Sequence, residues 1–287
     1  MREHTYRDIA IPIHLNSSNI ELEFEKNIKN KKYISKNTPY NDDAKLVKNT
    51  LKKLYDYKCA YCESFIKNAY GEIEHYRPKK SSNLSRCDST KAYYWLAFSW
   101  DNLLPCCKKC NIEKSNCFDV FDRRVNYNKE TLEVLHKSLQ GYNRIENPKL
   151  LHPEIDAFED DIVFDHKGFM RSDNEKVIYT RRICDLNRKN LREAREKIFT
   201  KYLKLLKKNL AFMIELQEVS DDFKLLLKNF KLYIVDELKD DKAMNQEYSL
   251  VSHYIYNNFE HFLEEIDESY LSKEDKAISS KLWLIYN

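Results

Sequence analysis

Four cysteines stand in two CxxC pairs, Cys59-x2-Cys62 and Cys107-x2-Cys110. Two such knuckles supply four thiolates, the usual set for a tetrahedral structural Zn2+. Four sulfur ligands leave no open position for water, so this metal would staple the fold rather than catalyse. The competing reading is four buried thiols that happen to be so spaced. Cys106 could stand in for Cys107, but only Cys107 keeps the two-residue gap. Cys87, Cys117 and Cys184 read as spare core or surface thiols.

Inside this frame lie the residues suited to hydrolysis. Glu74 and His75 are adjacent in GEIEHYRPKK, Asn102 precedes the second knuckle, and Asn111 follows Cys110. Glu74 and Asn111 offer oxygens to a hard cation, Mg2+ or Mn2+, that keeps several waters. His75, with an ordinary pKa of about 6.5, is largely neutral near pH 7 and can take a proton from water. A Glu-His pair alone is more often structural or merely exposed; its position between the CxxC pairs gives it weight. Successive side chains on a strand point to opposite faces, so Glu74 and His75 can border one site only where the strand ends or kinks.

Several elements must position these residues. Thr38 to Tyr57 reads as a helix, with Thr38 as N-cap, Pro39 at the first position and Asp42 and Asp43 at the positive end of the dipole. Val47, Leu51, Leu54 and Tyr55 form its apolar stripe. Ile9 to Leu15 reads as a short strand and the charged stretch after Asn19 as a helix. A hairpin and a strand ending near His75 follow, with Gly71 in the turn. Residues 81–90 read as an exposed loop, and Ala92 to Trp100, AYYWLAFSW, as a buried helix. A second strand runs from Asn102 into Cys107, and a helix starts near Cys110. Beyond residue 148, DIVFDHKGFM and EKVIYTRRI suggest a β-hairpin with Gly168 in its turn. After it the chain has no Gly or Pro, and Leu191, Ala194, Ile198, Tyr202, Leu205 and Leu206 mark a long amphipathic helix. Ser220 and Ser272 are N-cap candidates, the latter in a capping-box pattern with Asp275.

The fold class expected is therefore α+β and mostly helical. A zinc-stapled nuclease domain occupies 1–147; a β-hairpin and a helical region occupy 148–287. The 287 residues suffice for one or two domains, and a net charge of +3 confines any basic surface to a local patch. No apolar run approaches the ~20 residues that span a bilayer. Glu3 and Asp8 stand where a signal peptide would be basic and then apolar, so the expectation is a cytoplasmic protein. In a reducing compartment eight cysteines are not expected to be four disulfides.

The order CxxC, Glu74-His75 with Pro78 soon after, Asn102-Leu103, then CxxC followed at once by Asn111 and a lysine resembles the HNH endonucleases, which have a ββα-metal fold. The resemblance implies that His75 activates water, that Glu74 and Asn111 hold the catalytic metal, and that Asn102 fixes the loop and orients His75. It assigns Lys114 to substrate phosphate. Asn111 stands where many members have His, and Glu74 where many have Asp. A closer resemblance is carried by EHYRPK, YYWLAFSWDNLLPCCKKCN, LLHPEID and ICDLNRKNLREAR. These are similar to the PtuB family, HNH nucleases of Septu-type and retron-associated anti-phage systems. The family resemblance implies a nucleic-acid substrate, DNA first, and a PtuA-like ABC-type ATPase as partner. One site per chain implies more than one nuclease copy, or successive nicks, for a double-strand cut. A stand-alone HNH restriction or nicking enzyme, and a zinc module that binds nucleic acid without cutting, are the alternatives. The basic run Arg192, Arg195, Lys197, Lys201, Lys204, Lys207 and Lys208 reads as a solvated helix face before it reads as a phosphate surface.

Overall fold

The computed structural model describes residues 1–4, 15, 18–34, 44–66, 71–88, 91–128, 139–215 and 220–286. Among them the chain is mostly helical, with two two-stranded antiparallel sheets. Contacts divide it into two compact units, 1–158 with 173–186, and 159–172 with 187–287.

The first unit holds helices α1 (Ser18–Asn30) and α2 (Ala44–Leu54), strand β1 (Gly71–His75), strand β2 (Leu103–Cys107) and helix α3 (Lys108–Lys114). Helices α4 (Leu139–Glu146) and α5 (Glu175–Ile183) complete it. The apolar stripe of α2 is its buried face: Val47, Leu51 and Tyr55 are all buried. Val47 and Leu51 pack with Ile20, Ala97, Phe98, Trp100 and Leu103 into one cluster. That cluster is the floor on which β2 lies. The expected start of α2 at Thr38, and most of the expected Ile9 to Leu15 strand, lie outside the described residues.

β1 and β2 pair with Glu74 opposite Leu104 and His75 opposite Leu103. Gly71 opens β1 and is required by crowding, not by a turn. A Cβ there would collide with the Ile66 side chain and come within 2.9 Å of Lys52 Cε.

Three expectations are corrected. AYYWLAFSW is buried but is not an α-helix; it makes two 3-10 turns, Tyr94–Leu96 and Trp100–Asn102, broken by extended backbone at Ser99. A run apolar on every side can be buried in either form; the broken path buries Tyr93, Trp95, Leu96, Ala97, Phe98 and Trp100 and brings the Ala97 carbonyl to His75. EKVIYTRRI is helix α5, not a strand. Asn174 caps it by accepting from the Lys176 amide, and Val177, Thr180 and Ile183 are buried at helical spacing. Cys87 and Cys117 are not spare thiols but a disulfide with Cα atoms 5.7 Å apart. Thirty residues separate them, and nothing in that spacing announces a pair. The pairing comes from the loop after Ser81 folding back over the end of α3, where Asn116 Nδ2 also donates to the Ser81 carbonyl.

The second unit contains the hairpin half that does form, β3 (Val163–Phe164) and β4 (Met170–Arg171). Gly168 in its turn has φ +74°, and a Cβ there would strike the Arg192 carbonyl. Helices α6 (Lys189–Glu215), α7 (Ser220–Phe230), α8 (Glu237–Asp241), α9 (Ser249–Asn257), α10 (Phe259–Glu264) and α11 (Lys273–Tyr286) follow. A π-helical segment, Lys231–Asp236, joins α7 to α8. Phe230, Phe259, Phe262 and Trp283 form the aromatic centre, with Phe259 stacked on Trp283 at 4.2 Å. The capping box forms as expected: the Asp275 amide donates to Ser272 Oγ and the Ser272 amide to Asp275 Oδ2. No helix of the described residues is long and apolar enough to cross a membrane.

Candidate functional site

The two CxxC pairs meet. The Sγ atoms of Cys59, Cys62, Cys107 and Cys110 all lie within 4.8 Å of one another, a group able to hold a metal ion. Local structure explains how. Glu63, with φ +61°, closes a turn that folds the first knuckle, and the Ala60 amide bonds to the Pro105 carbonyl, tying that knuckle to β2. The second knuckle ends β2 and opens α3: Cys107 is the N-cap, its sulfur accepting from the Cys110 amide at 3.4 Å. Helix α3 thus begins earlier than the cysteine spacing suggests, at Lys108. Cys106 lies 3.9 Å from Cys59 yet stands outside the group of four, and burial pushes its thiol up, toward the neutral form.

β1 carries Glu74 and His75 beside this cluster, both buried. His75 Nε2 lies 2.9 Å from the Ala97 carbonyl. A carbonyl only accepts, so Nε2 carries the proton and Nδ1 is the acceptor nitrogen. Burial pushes the His75 pKa well below 6.5, with the nearby positive charge of Lys79 next in effect, so the ring is held neutral. That is the form in which an imidazole can take a proton from water.

Glu74 faces α3. Burial pushes its carboxyl up, and the ammonium of Lys114, paired with Oε1, opposes that. Lys114 is itself fully buried and also donates to the His75 carbonyl at 2.9 Å. The resemblance assigned Lys114 to substrate phosphate; its ammonium instead turns inward, onto the His75 carbonyl and the Glu74 carboxylate. Asn111 is half-buried one helical turn before Lys114 on α3. The Glu74 carboxylate and the Asn111 amide oxygen are hard donors of the kind that suit a cation keeping most of its water. A cation there would share Glu74 with Lys114. Among the described residues the sulfur group is the one cluster of three or more ligating side chains.

Asn102 is completely buried. Its Oδ1 accepts from the Arg77 amide at 2.8 Å, and its Nδ2 donates to the carbonyls of Arg77 and Leu96 at 3.0 and 3.1 Å. It therefore clamps the chain just after His75 to the turn that presents the Ala97 carbonyl.

Sequence reasoning missed two residues. Arg77 is fully buried, with Nε on Glu146 at 2.8 Å and Nη2 on Asn143 at 2.6 Å. Aromatic rings of Tyr76, Phe118 and Tyr142 surround its guanidinium. Lys79 sits over the Tyr33 ring at 4.7 Å, and burial pushes its pKa down to about 8 against the pull of Glu74. The basic RPKK run was the signal available, but it does not say which cations turn inward.

No protein-family model matches the chain, and no solved structure matches it. Among curated proteins it is similar to Septu protein PtuB of Bacillus mycoides (strain KBAB4), 35% identical over 163 residues, which are 55% of this chain and 52% of that protein. It is similar to Septu protein PtuA of the same strain, 26% identical over 190 residues, 65% of this chain and 25% of that protein. A third likeness is to Septu protein PtuB of Bacillus thuringiensis, 36% identical over 70 residues, 24% of this chain and 23% of that protein. The match thus spans about half the length of the first relative and about a quarter of the other two. Over 55% of its length the chain is PtuB-like, the likeness that its motifs already carried.

Proposed function

We propose that the chain is an HNH-type endonuclease that hydrolyses nucleic-acid phosphodiester bonds, working in an anti-phage defence complex. The observation that supports this most is the state of His75: buried, neutral, its tautomer set by the Ala97 carbonyl, and adjacent to Glu74 on a strand anchored by the cysteine cluster. In this reading the cysteines hold Zn2+. Zn–S bonds of about 2.3 Å at tetrahedral angles separate the sulfurs by about 3.8 Å, and Cys62 and Cys107 stand 3.7 Å apart.

His75 Nδ1 takes a proton from water, which attacks phosphorus in line as the bond to the 3′ oxygen breaks; that oxygen takes a proton from solvent, leaving a 5′-phosphate and a 3′-hydroxyl. Asn102 keeps the imidazole's carbonyl partner in place. Lys114 favours the ionised form of Glu74 against the burial that disfavours it. Glu74 and Asn111 would hold one Mg2+ or Mn2+, which when bound neutralises charge on the phosphate and leaving oxygen. DNA is the first substrate to try.

The PtuB and PtuA likenesses support a PtuA-like partner. In this reading, as the family resemblance implies, that partner is an ABC-type ATPase, and a double-strand cut by one site per chain calls for more than one nuclease copy or successive nicks. A quarter of one PtuA resembles this chain and the remainder does not. A protein that joins a stretch like this one to a second module would give that pattern.

The test is cleavage of labelled DNA with added Mg2+ or Mn2+, with and without the ATPase. His75→Ala should lower the rate about 10²-fold or more, the scale for a lost general base, with the metal content of the cysteine cluster unchanged. Cleavage at the wild-type rate by that variant would exclude the assignment. Binding without any metal-dependent product in the wild type would favour a non-cutting zinc module.

A further inference from the structure

Beside the candidate site the first unit opens into a cleft of about 520 Å³. Among the described residues six cations line it, Lys31, Lys32, Lys79, Lys80, Lys91 and Arg124, and no carboxylate does. Lys31, Lys32, Lys80 and Lys91 are exposed, and among the described residues none of these four is in an ion pair. In a chain with 46 acidic residues against 49 basic ones, such a one-sign lining is not what random placement gives.

The cleft also holds aromatic rings. Tyr94, Trp95 and Tyr127 make a cluster with ring centroids 5.1 to 6.2 Å apart. Trp95 is buried beneath, while Tyr94 and Tyr127 are half-exposed. Cations that follow a phosphate backbone, alternating with ring faces, are the combination that binds unpaired nucleotides, because only an unpaired base can leave its stack for a side chain. A duplex would use the cations and leave the rings idle.

The cleft is tied to the site by structure. Lys79 lines it and acts on both Glu74 and His75. Tyr94 and Trp95 lie on the 3-10 turn that leads into Ala97, the partner of His75. The Tyr93 amide is bonded to the Pro78 carbonyl, which locks this turn to the chain just after His75.

We infer that this cleft binds an unpaired nucleotide segment, bases on Tyr94 and Tyr127 and phosphates on Lys31, Lys32, Lys80 and Lys91, and so selects single-stranded or locally opened nucleic acid for the neighbouring site. This rests on the nuclease reading for its purpose but not for its binding.

The experiment is fluorescence anisotropy of the full chain, with no divalent metal added, against a labelled single-stranded DNA, the same sequence as RNA, and the DNA duplex. The expected result is binding of one or both single strands at least tenfold tighter than the duplex. Combined Tyr94→Ala and Tyr127→Ala should weaken single-strand binding about tenfold or more. Tyr94→Phe with Tyr127→Phe, which keep the rings, should restore it. Lys31→Ala, Lys32→Ala and Lys80→Ala together should flatten the slope of log affinity against log salt by about 2. Zinc content and circular dichroism check that each variant is folded.

Duplex binding as tight as single-strand binding, or alanine variants that bind like wild type while folded, would overturn the inference. So would equal retention on phosphatidylserine vesicles, which would mark the cleft as a general anion surface. If the single strand binds as expected but no metal-dependent cleavage follows, the cleft stands and the nuclease reading falls. If cleavage proceeds but ignores the tyrosine and lysine changes, the cleft falls alone.

Discussion

The cleft lysines of the first unit and the basic face of helix α6 are alike in residue type and different in structure. On α6, Arg195 is buried and donates to the Gly168 carbonyl, Arg192 donates to the Asn187 carbonyl, and Lys201 reaches both Glu237 and Asp241 at 2.6 and 2.7 Å. Arg192 also lies over the Phe169 ring, and Lys207 over that of Tyr270. These cations hold the helical unit together. In the cleft, the described lining residues bring cations together and leave carboxylates out. A basic run along one helix is easy to see in a sequence, yet much of this one is taken up by internal contacts. The cleft draws its charge from four separate places in the chain, at 31–32, 79–80, 91 and 124, so no run announces it. What makes cations available is the lack of carboxylate partners in space, not their density along the chain.

The largest effect expected from any single change tests what holds the first unit in shape. Cys59→Ser or Cys110→Ser should abolish metal binding, one zinc per chain in the wild type, and unfold the region from Cys59 to Lys114. Structural zinc binding in small sites amounts to about 10–16 kcal/mol and is coupled to folding. The helical unit has no such group among its described residues, so helical circular dichroism should persist in part while the zinc is lost. Elemental analysis finding no zinc in well-folded wild-type protein would remove this difference between the two units.

The same contrast explains what is legible in the sequence. The cysteine frame and the α2 stripe are readable because each is set by local spacing, whereas Asn102 is singled out by the family resemblance alone. The long helix α6 is readable from its apolar period and the absence of Gly and Pro. Aromatic AYYWLAFSW misleads because burial on all sides erases periodicity, so a broken 3-10 path and a helix give the same pattern. EKVIYTRRI misleads because its run of β-branched and aromatic residues, Val177-Ile178-Tyr179, reads as strand and outweighs the Asn174 cap. The inward turn of Lys114 and the Cys87–Cys117 pair depend on tertiary contacts that no local pattern encodes. The cleft is invisible in the sequence for the same reason.

A medium effect should come from the buried charge between these extremes. Arg77 and Glu146 are both completely buried, and Glu146 also accepts from the Tyr93 hydroxyl and the Val125 amide, each at 2.8 Å. Glu146→Gln keeps the shape but leaves the guanidinium without its counter-charge. Breaking such a pair costs about 3–5 kcal/mol. Chemical denaturation should detect that loss, and cleavage should fall with it because Arg77 is clamped to Asn102. A variant as stable as wild type would mean that Arg77 finds charge or water elsewhere, and that this unit treats its buried cation no differently from its cleft cations.

The smallest effect bears most directly on the comparison. Lys201 is about one-third exposed, and its partners Glu237 and Asp241 are 45% and 29% exposed. Ion pairs this wet contribute about 0.2–1 kcal/mol each and are screened by salt. Lys201→Ala should therefore cost roughly 1 kcal/mol of stability. It should leave the salt dependence of oligonucleotide binding where it was, because a cation already neutralised by two carboxylates has little to offer a phosphate. Lys32→Ala should do the reverse: almost no change in stability, and a salt slope lower by about 0.7. The pair of measurements separates structural from ligand-facing charge in one chain. If Lys201→Ala lowers the slope as much as Lys32→Ala does, α6 is a phosphate surface after all, and the division of labour between the two sets of cations fails.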